Sequence, residues 1–349
     1  MKYLIFVAKY FKYKIPIWTS PRRRKILKSW EKFSEQRPLR LGLETISACN
    51  SRCVFCAYKK STPDGKVLSI PLFNKICAEF SALGGGRIGF DPLMADPLLD
   101  PHLLERLELI KKDYPNISTH MFTNAIHFKN FSDDELESII NGVEILDISI
   151  GGLEREDYKI MFGVDQFDSV WKSLQRISAI NNRLGKKNNL FIHIRTNKME
   201  KILASPLLKE LKKMGYESDD IIDSFQTWGD IITAKDLPEG TRILRPNNTY
   251  FKTPCLLTMI HPKILPNGDV VACGCRDAEK KTVIGNIEKN TLQEIWQGKK
   301  MAEFRSTFTM GNLLPLCQSC AMYAPYDKFL SNPGLENFDL KKEFWQALK

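Results

Sequence analysis

The sequence has no long apolar run. Its hydrophobic stretches fall well short of the roughly 20 residues needed to cross a bilayer, and the opening segment, Met1 to Ile17, is broken by Lys9, Lys12 and Lys14. Neither a transmembrane helix nor a secretory signal is expected. Internal repeats and low-complexity tracts are also missing. With 43% hydrophobic and 26% charged residues over 349 positions, the chain reads as an ordinary globular protein, long enough for one large domain and a smaller one. Charge is lacking where a nucleic-acid surface would need it. The whole net charge of +10 sits in residues 1 to 40, where twelve Lys and Arg oppose only Glu31 and Glu35. The remaining residues are formally neutral, whereas phosphate neutralisation needs basic residues across the contact surface, so nucleic acid is not an expected partner. An even number of cysteines is the last absence. Of nine, seven fall in tight groups (Cys49, Cys53, Cys56; Cys273, Cys275; Cys317, Cys320). Such grouping suits metal ligation better than a disulfide framework and implies a reducing cytoplasm.

The first 40 residues form a basic, aromatic arm. Tyr3, Phe6, Tyr10, Phe11, Tyr13 and Trp18 alternate with lysines ahead of Arg22-Arg23-Arg24-Lys25. An arm of this kind suits an anionic membrane surface, such as the inner face of the membrane, or an anionic partner. An equal alternative is that it packs against the body with its charges in water.

From Leu41 to about residue 235, short apolar runs alternate with helix-like segments, the pattern of an α/β protein with a parallel sheet. Six strands are expected, at Leu41 to Ile46, Arg87 to Phe90, Thr119 to Thr123, Ile145 to Ile150, Leu190 to Arg195 and Ile221 to Thr227. Six units predict a partial (β/α)6 TIM-like barrel rather than a closed eight-fold one. Ser132 and Glu135 have the spacing of a capping box, and Gly142 should end that helix. Pro238, Gly240 and Pro246 mark a linker. Residues 250–325 then form a small second domain holding five cysteines, with a hairpin at Pro266 to Asp269 and a helix over Ile287 to Phe304. Residues 326–349 form a tail with a final helix at Phe338 to Leu348.

Cys49, Cys53 and Cys56 follow the first strand within eight residues. Three soft thiolates can wrap one face of a 4Fe-4S cube and leave the fourth iron without a protein ligand. A zinc knuckle, the alternative, needs four ligands, and no further Cys or His lies nearby. Cys-x3-Cys-x2-Cys resembles the signature of the radical S-adenosylmethionine (SAM) superfamily. The resemblance implies that the methionine amino and carboxylate groups of SAM chelate the open iron. An electron from the cluster, drawn from an external donor such as flavodoxin or ferredoxin, then cleaves the sulfonium to a 5'-deoxyadenosyl radical. Phe55 matches the aromatic residue that packs beside the adenine. The family commonly has a Gly-Gly-Glu turn after the second strand; here the matching stretch is Met94-Ala95-Asp96. A backbone contact needs no particular side chain, but Asp96 is shorter than the usual glutamate. Thr123, Asn124 and Ser149 look like the polar groups that hold the cofactor's carboxylate and ribose. Arg195, at the end of the fifth strand, suits the carboxylate because a guanidinium binds it in two places.

The second group is Cys255, Cys273 after 17 intervening residues, then Cys317 and Cys320 after 43 more. Gly268 precedes Cys273 in a Gly-x4-Cys turn. This set resembles the twitch domain, the one-cluster relative of the SPASM domain, and implies a second, auxiliary 4Fe-4S cluster; a four-cysteine zinc ribbon is the alternative. Cys77 reads as core packing. Cys275 is a fifth thiol in a domain whose cluster needs four, and is a candidate catalytic hydrogen donor or a buried, inert thiol.

These features resemble radical SAM dehydrogenases and epimerases of sugars and cyclitols, which implies hydrogen abstraction from an unactivated C-H bond of a small-molecule or carbohydrate substrate. Molybdenum cofactor biosynthesis protein A has the same outline but carries a C-terminal double glycine, where this chain ends Gln346-Ala347-Leu348-Lys349. A peptide-modifying enzyme and a non-catalytic iron-sulfur or zinc protein binding an anionic surface are the other readings.

Overall fold

The computed structural model describes residues 21–186, 189–246, 254–309 and 311–325. The first half of the basic arm and the expected helix at Phe338 to Leu348 lie outside the described residues. The barrel strands are β1 (Arg40–Leu43), β2 (Gly86–Phe90), β3 (Ile117–Thr123), β4 (Ile145–Gly151), β5 (Leu190–Arg195) and β6 (Glu217–Ile222), all parallel and adjacent in chain order. Helix α1 (Pro21–Gln36) precedes them. The crossovers carry α2 (Ile70–Ala82), α3 (Leu103–Asp113), α4 (Asp133–Gly142), α5 (Arg155–Phe162), α6 (Phe167–Arg183), α7 (Met199–Ala204) and α8 (Pro206–Lys213). Among the described residues no helix is long and apolar enough to cross a membrane.

Alternation along the strands separates two faces. Met121, Leu146, Ile148, Ile192 and Ile194 are buried against Phe73, Ile76 and Phe80 of α2, Ile139 of α4 and Leu174 and Ile177 of α6. Each such side chain contributes about 1.5–3 kcal/mol by leaving water. Cys77 is fully buried in this layer. The intervening residues, including His120, Phe122, Asp147, His193 and Arg195, face the concave side and are only partly buried. The expected capping box forms, with Ser132 Oγ accepting from the Glu135 amide (3.3 Å) and the Glu135 carboxylate from the Ser132 amide (2.7 Å). At Gly142, where α4 ends, a Cβ would lie 2.9 Å from the Leu107 Cβ, so α3 and α4 meet there only because the side chain is absent.

The sixth strand is displaced from the expected Ile221 to Thr227. Glu217 and Asp220 are disfavoured in strands, yet Asp220 pairs with His193 across the ladder, which offsets the low propensity. Ser224 and Phe225 form a separate short strand, β7 (Ser224–Phe225), paired with β8 (Arg242–Ile243). The first strand stops at Leu43 rather than Ile46.

The second domain contains α9 (Leu256–Ile260), β9 (Lys263–Ile264), β10 (Asp269–Val271), β11 (Val283–Asn286), α10 (Leu292–Gln297) and α11 (Lys299–Thr309). The hairpin turn between β9 and β10 passes through Gly268 at φ +80°. Instead of one helix from Ile287 to Phe304 there are two, because Thr291 caps α10 through a box with Glu294 and the chain is extended at Gly298. β9 pairs in parallel with β1, so β9 to β11 extend the barrel sheet to nine strands. The end of α1 packs on this domain: Ser34 O accepts from Trp296 Nε1 (2.6 Å) and Arg305 (3.0 Å), and Phe33 is buried.

Candidate active site and thiol clusters

Cys49, Cys53 and Cys56 lie on the loop that leaves β1. The loop docks on the C-terminus of α5, where the Arg52 and Val54 amides donate to Phe162 O (2.9 Å) and Met161 O (3.0 Å). Gly163, at φ +68°, permits this: a Cβ there would sit 2.6 Å from Arg52 O. Tyr58 closes the loop, its hydroxyl accepting from the Cys49 amide (2.9 Å) and donating to the Cys49 carbonyl (3.1 Å). Each sulfur has a polar neighbour: Asn124 Nδ2 donates to Cys49 Sγ (3.7 Å), Ser51 Oγ lies 3.1 Å from Cys53 Sγ, and the Tyr58 amide donates to Cys56 Sγ (3.5 Å). Burial pushes the Cys49 thiol up to about 12, helped by Asp96 and Cys56. Cys53 and Cys56 are raised as well, first by burial; Cys53 is raised further by its two companion thiols. The three are thus electrostatic neighbours.

Strand ends supply the remaining wall. The Asp96 amide donates to Ala48 O (2.9 Å), and its buried carboxylate accepts from Thr123 Oγ1 (2.9 Å), the Asn124 amide (2.8 Å) and the Leu98 amide (3.1 Å). Desolvation raises this carboxyl to about 6 against those bonds. Asp96 therefore clamps the loops after β2 and β3 together, while Asn124 reaches on to Asn50 (2.8 Å). Met94 and Ala95 lie beside it. Ser149 accepts from Arg195 Nε (3.3 Å), and the Arg195 guanidinium stands 5.7 Å from the Phe55 ring centroid. Phe55 also stacks on Phe225 at 4.8 Å. Arg195 is lowered to about 10, mainly by desolvation, and remains a cation at neutral pH.

Several residues in this region had no motif to announce them. Glu44, just past β1, is buried, and its Oε2 accepts from the Leu93 (2.8 Å) and Met94 (3.2 Å) amides, anchoring the loop that carries Met94, Ala95 and Asp96. Trp228 donates from Nε1 to Phe55 O (2.9 Å) and holds a left-handed φ of +54°. Deeper on the concave face, Asp147 accepts from both His120 and His193 (2.8 Å for the latter), and His193 Nδ1 donates to Asp220 (2.5 Å). Polar residues at alternate positions of otherwise apolar strands were the available signal for this belt.

In the second domain the thiols of Cys255, Cys273, Cys317 and Cys320 are buried or nearly so. Burial pushes Cys317 to about 12 and Cys320 to about 11, and raises Cys255 and Cys273. Cys275 is half-buried and acts electrostatically on Cys255, Cys273 and Cys320, so all five thiols belong to one group.

Both sets fit iron-sulfur ligation. Thiols kept protonated by burial and by each other ionise only against a centre that supplies positive charge, and in the first set the amide donors to Cys49 and Cys56 are the usual surroundings of such clusters. Among the described residues no three His, Cys, Asp or Glu converge closely enough for a single metal ion. A cube instead asks each thiolate to meet a different iron.

Comparison with known proteins agrees. Residues 43–205 match the radical SAM superfamily model and residues 255–321 match SPASM, an iron-sulfur cluster-binding domain. A GTP 3',8-cyclase of Chlorobaculum tepidum is 29% identical over 152 residues, and one from Desulforamulus reducens 24% over 139. These matches cover 43% and 39% of this chain and only 44% and 41% of the relatives' length. Among solved structures, BtrN in complex with AdoMet and 2-DOIA is 16% identical with a TM-score of 0.52, covering 81% of this chain and 92% of BtrN. SuiB of Streptococcus suis gives 16%, 0.55, 93% and 86%. At such identities the likeness speaks for the fold. The two domains bring a 4Fe-4S cluster with SAM and auxiliary iron-sulfur ligation. By the two matched domains, set on the thiols and the partial barrel described above, the chain belongs to the radical S-adenosylmethionine superfamily, with a radical SAM domain followed by a SPASM domain.

Proposed function

We propose that the protein removes hydrogen from an unactivated C-H bond of a small polyhydroxylated substrate of sugar or cyclitol type, ending in dehydrogenation or epimerisation. The observation that supports this is the belt of His120, Asp147, His193 and Asp220 on the concave face, below Ser149 and Arg195. It offers donors and acceptors in a row, which suits several hydroxyl groups and disfavours an apolar ligand. The cluster held by Cys49, Cys53 and Cys56, together with SAM, supplies a 5'-deoxyadenosyl radical when bound. The chain's own residues prepare the site. Phe55 and Phe225 present apolar ring surface beside the thiols, Glu44 and Asp96 fix the loop after β2, and the barrel walls keep water and stray hydrogen donors away. Arg195 offers a fixed cation for the cofactor carboxylate.

Cys275, the thiol beyond the four needed for a cluster, is the proposed hydrogen donor of an epimerase. Anaerobic incubation with SAM, dithionite and a panel of sugars, cyclitols and peptides tests the reading, with 5'-deoxyadenosine as the readout. Stimulation by peptides alone would make this a peptide-modifying enzyme, and no 5'-deoxyadenosine under any condition would leave a non-catalytic iron-sulfur protein. Cys275→Ala should still yield 5'-deoxyadenosine but release no inverted product; a ketone from the native enzyme would make it a dehydrogenase and remove the donor role.

A further inference from the structure

Arg276 is a cation between the two thiol sets with no carboxylate bound to it among the described residues. The carbon of its guanidinium lies over the Trp228 ring, 4.6 Å from the centroid, and its Nε is buried with no hydrogen-bond partner among the described residues. Its charge acts on Cys56 of the first set, on Cys320 of the second, and on Arg195. Two guanidiniums that repel each other are therefore held near one another. The neighbouring acids have other partners. Asp277, next in the chain, accepts from the Lys281 (2.7 Å) and Thr282 (2.6 Å) amides and from Thr282 Oγ1 (2.7 Å). Asp220 holds His193, and Asp223 holds Arg242 (2.8 Å).

Trp228 is the base on which Arg276 rests. A bulky residue in the left-handed region costs about 1–3 kcal/mol and persists only where its surroundings fix it. Here the Trp228 indole is tied to Phe55 O, one residue before Cys56. Arg276 is thus referenced to both domains at once, through Trp228 and the first thiol loop on one side and the turn closed by Asp277 on the other.

We propose that Arg276 is the seat for an anionic group of the substrate, a phosphate or a carboxylate, between the two thiol sets. A guanidinium binds either group through paired hydrogen bonds, and the unsatisfied Nε supplies a donor. The inference rests on the reading of this protein as an enzyme of small polar molecules and narrows that class to substrates bearing a negative charge.

The test measures binding of inorganic phosphate, and in parallel acetate, to the reconstituted holoenzyme saturated with SAM, which denies the anion the open iron. Saturable binding that Arg276→Gln weakens at least about tenfold, the worth of a charged hydrogen bond, supports the proposal; the stronger of the two anions names the group. Absence of saturable binding in the native holoenzyme overturns it. So does unchanged binding in Arg276→Gln, which would leave Arg276 only offsetting the charge of the thiolates. Where Arg276→Gln loads too little iron, native holoenzyme is treated with phenylglyoxal and mapped by mass spectrometry. Protection of Arg276 by phosphate supports the seat and lack of protection refutes it. 5'-Deoxyadenosine formation by the native enzyme is scored separately, so that failure of the radical reaction and failure of anion binding remain distinct.

Discussion

His193 should be a cation at neutral pH, and Asp147 is the reason. Burial alone would lower the imidazole, but hydrogen bonds and charge from Asp147 and Asp220 outweigh it and raise the pKa from 6.5 to about 9. That shift corresponds to about 3 kcal/mol favouring the protonated folded state. Because the folded value lies above the unfolded one, this stabilisation is complete below about pH 6.5 and fades as pH rises through about 9. Asp147 has the opposite dependence: its bonds to both histidines hold it below 3.8, so its share is present above that value and fades as pH falls below it. Asp147→Asn removes the central charge and should drop His193 by one to two pH units, about 1.4–2.7 kcal/mol. With only five histidines in the chain, carbon-labelled imidazoles can be followed one by one by NMR. The native spectrum should show His193 titrating near 9 and His261, half-buried and lowered mainly by desolvation, near 4. A native His193 midpoint at its ordinary value, or one that Asp147→Asn leaves in place, would refute the reasoning.

Other outcomes follow from the same structure. Anaerobic reconstitution should incorporate about eight irons, and Ala at Cys49, Cys53 and Cys56 together should leave about four with no 5'-deoxyadenosine; zinc in the residual site would refute the auxiliary cluster. Glu44→Ala should weaken SAM binding and lower the melting temperature, since two amides lose a buried acceptor at about 1–3 kcal/mol each. Arg106, whose Nε donates to buried Asp100 at 2.7 Å, should cost about 3–5 kcal/mol when replaced by Leu, read as a fall in thermal stability. Deleting residues 1–20 should reduce binding to anionic liposomes by up to about 1 kcal/mol per basic residue lost, an effect that fades with salt. No liposome binding by the full chain would refute a membrane role. The cut stops at 20 because Phe33 and Ser34 pack against the second domain.

The first thiol set stands out in the sequence because its spacing is local, eight residues holding all three cysteines; the second is spread from Cys255 to Cys320 and reads as a set only through its resemblance to a cluster-binding domain. The strands through β5 were legible within a few residues for a similar reason, since apolar runs and buried alternation coincide. β6 was displaced because propensity counts Glu217 and Asp220 against a strand, whereas the imidazole that compensates Asp220 comes from β5. Glu44, Trp228 and Arg276 carry no local pattern at all. Each acquires its role from a partner far away in sequence, Leu93 for Glu44, Phe55 for Trp228, and Trp228 in turn for Arg276.

The pairing of β1 with β9 bears on how the chain reaches this state. β1 has β2 on one edge, about 45 residues on, but its other edge waits for residues more than 200 positions later, and Leu39, Gly42 and Glu44 donate to Ile260, Pro262 and Ile264. During synthesis the six-stranded half emerges first with that edge bare, beside a loop of three free thiols. Contacts of such long separation form slowly, and an unpaired edge invites association with other chains. Maturation of this protein is therefore expected to be a contest between late strand docking and aggregation, and slow translation or low temperature should shift it toward soluble protein.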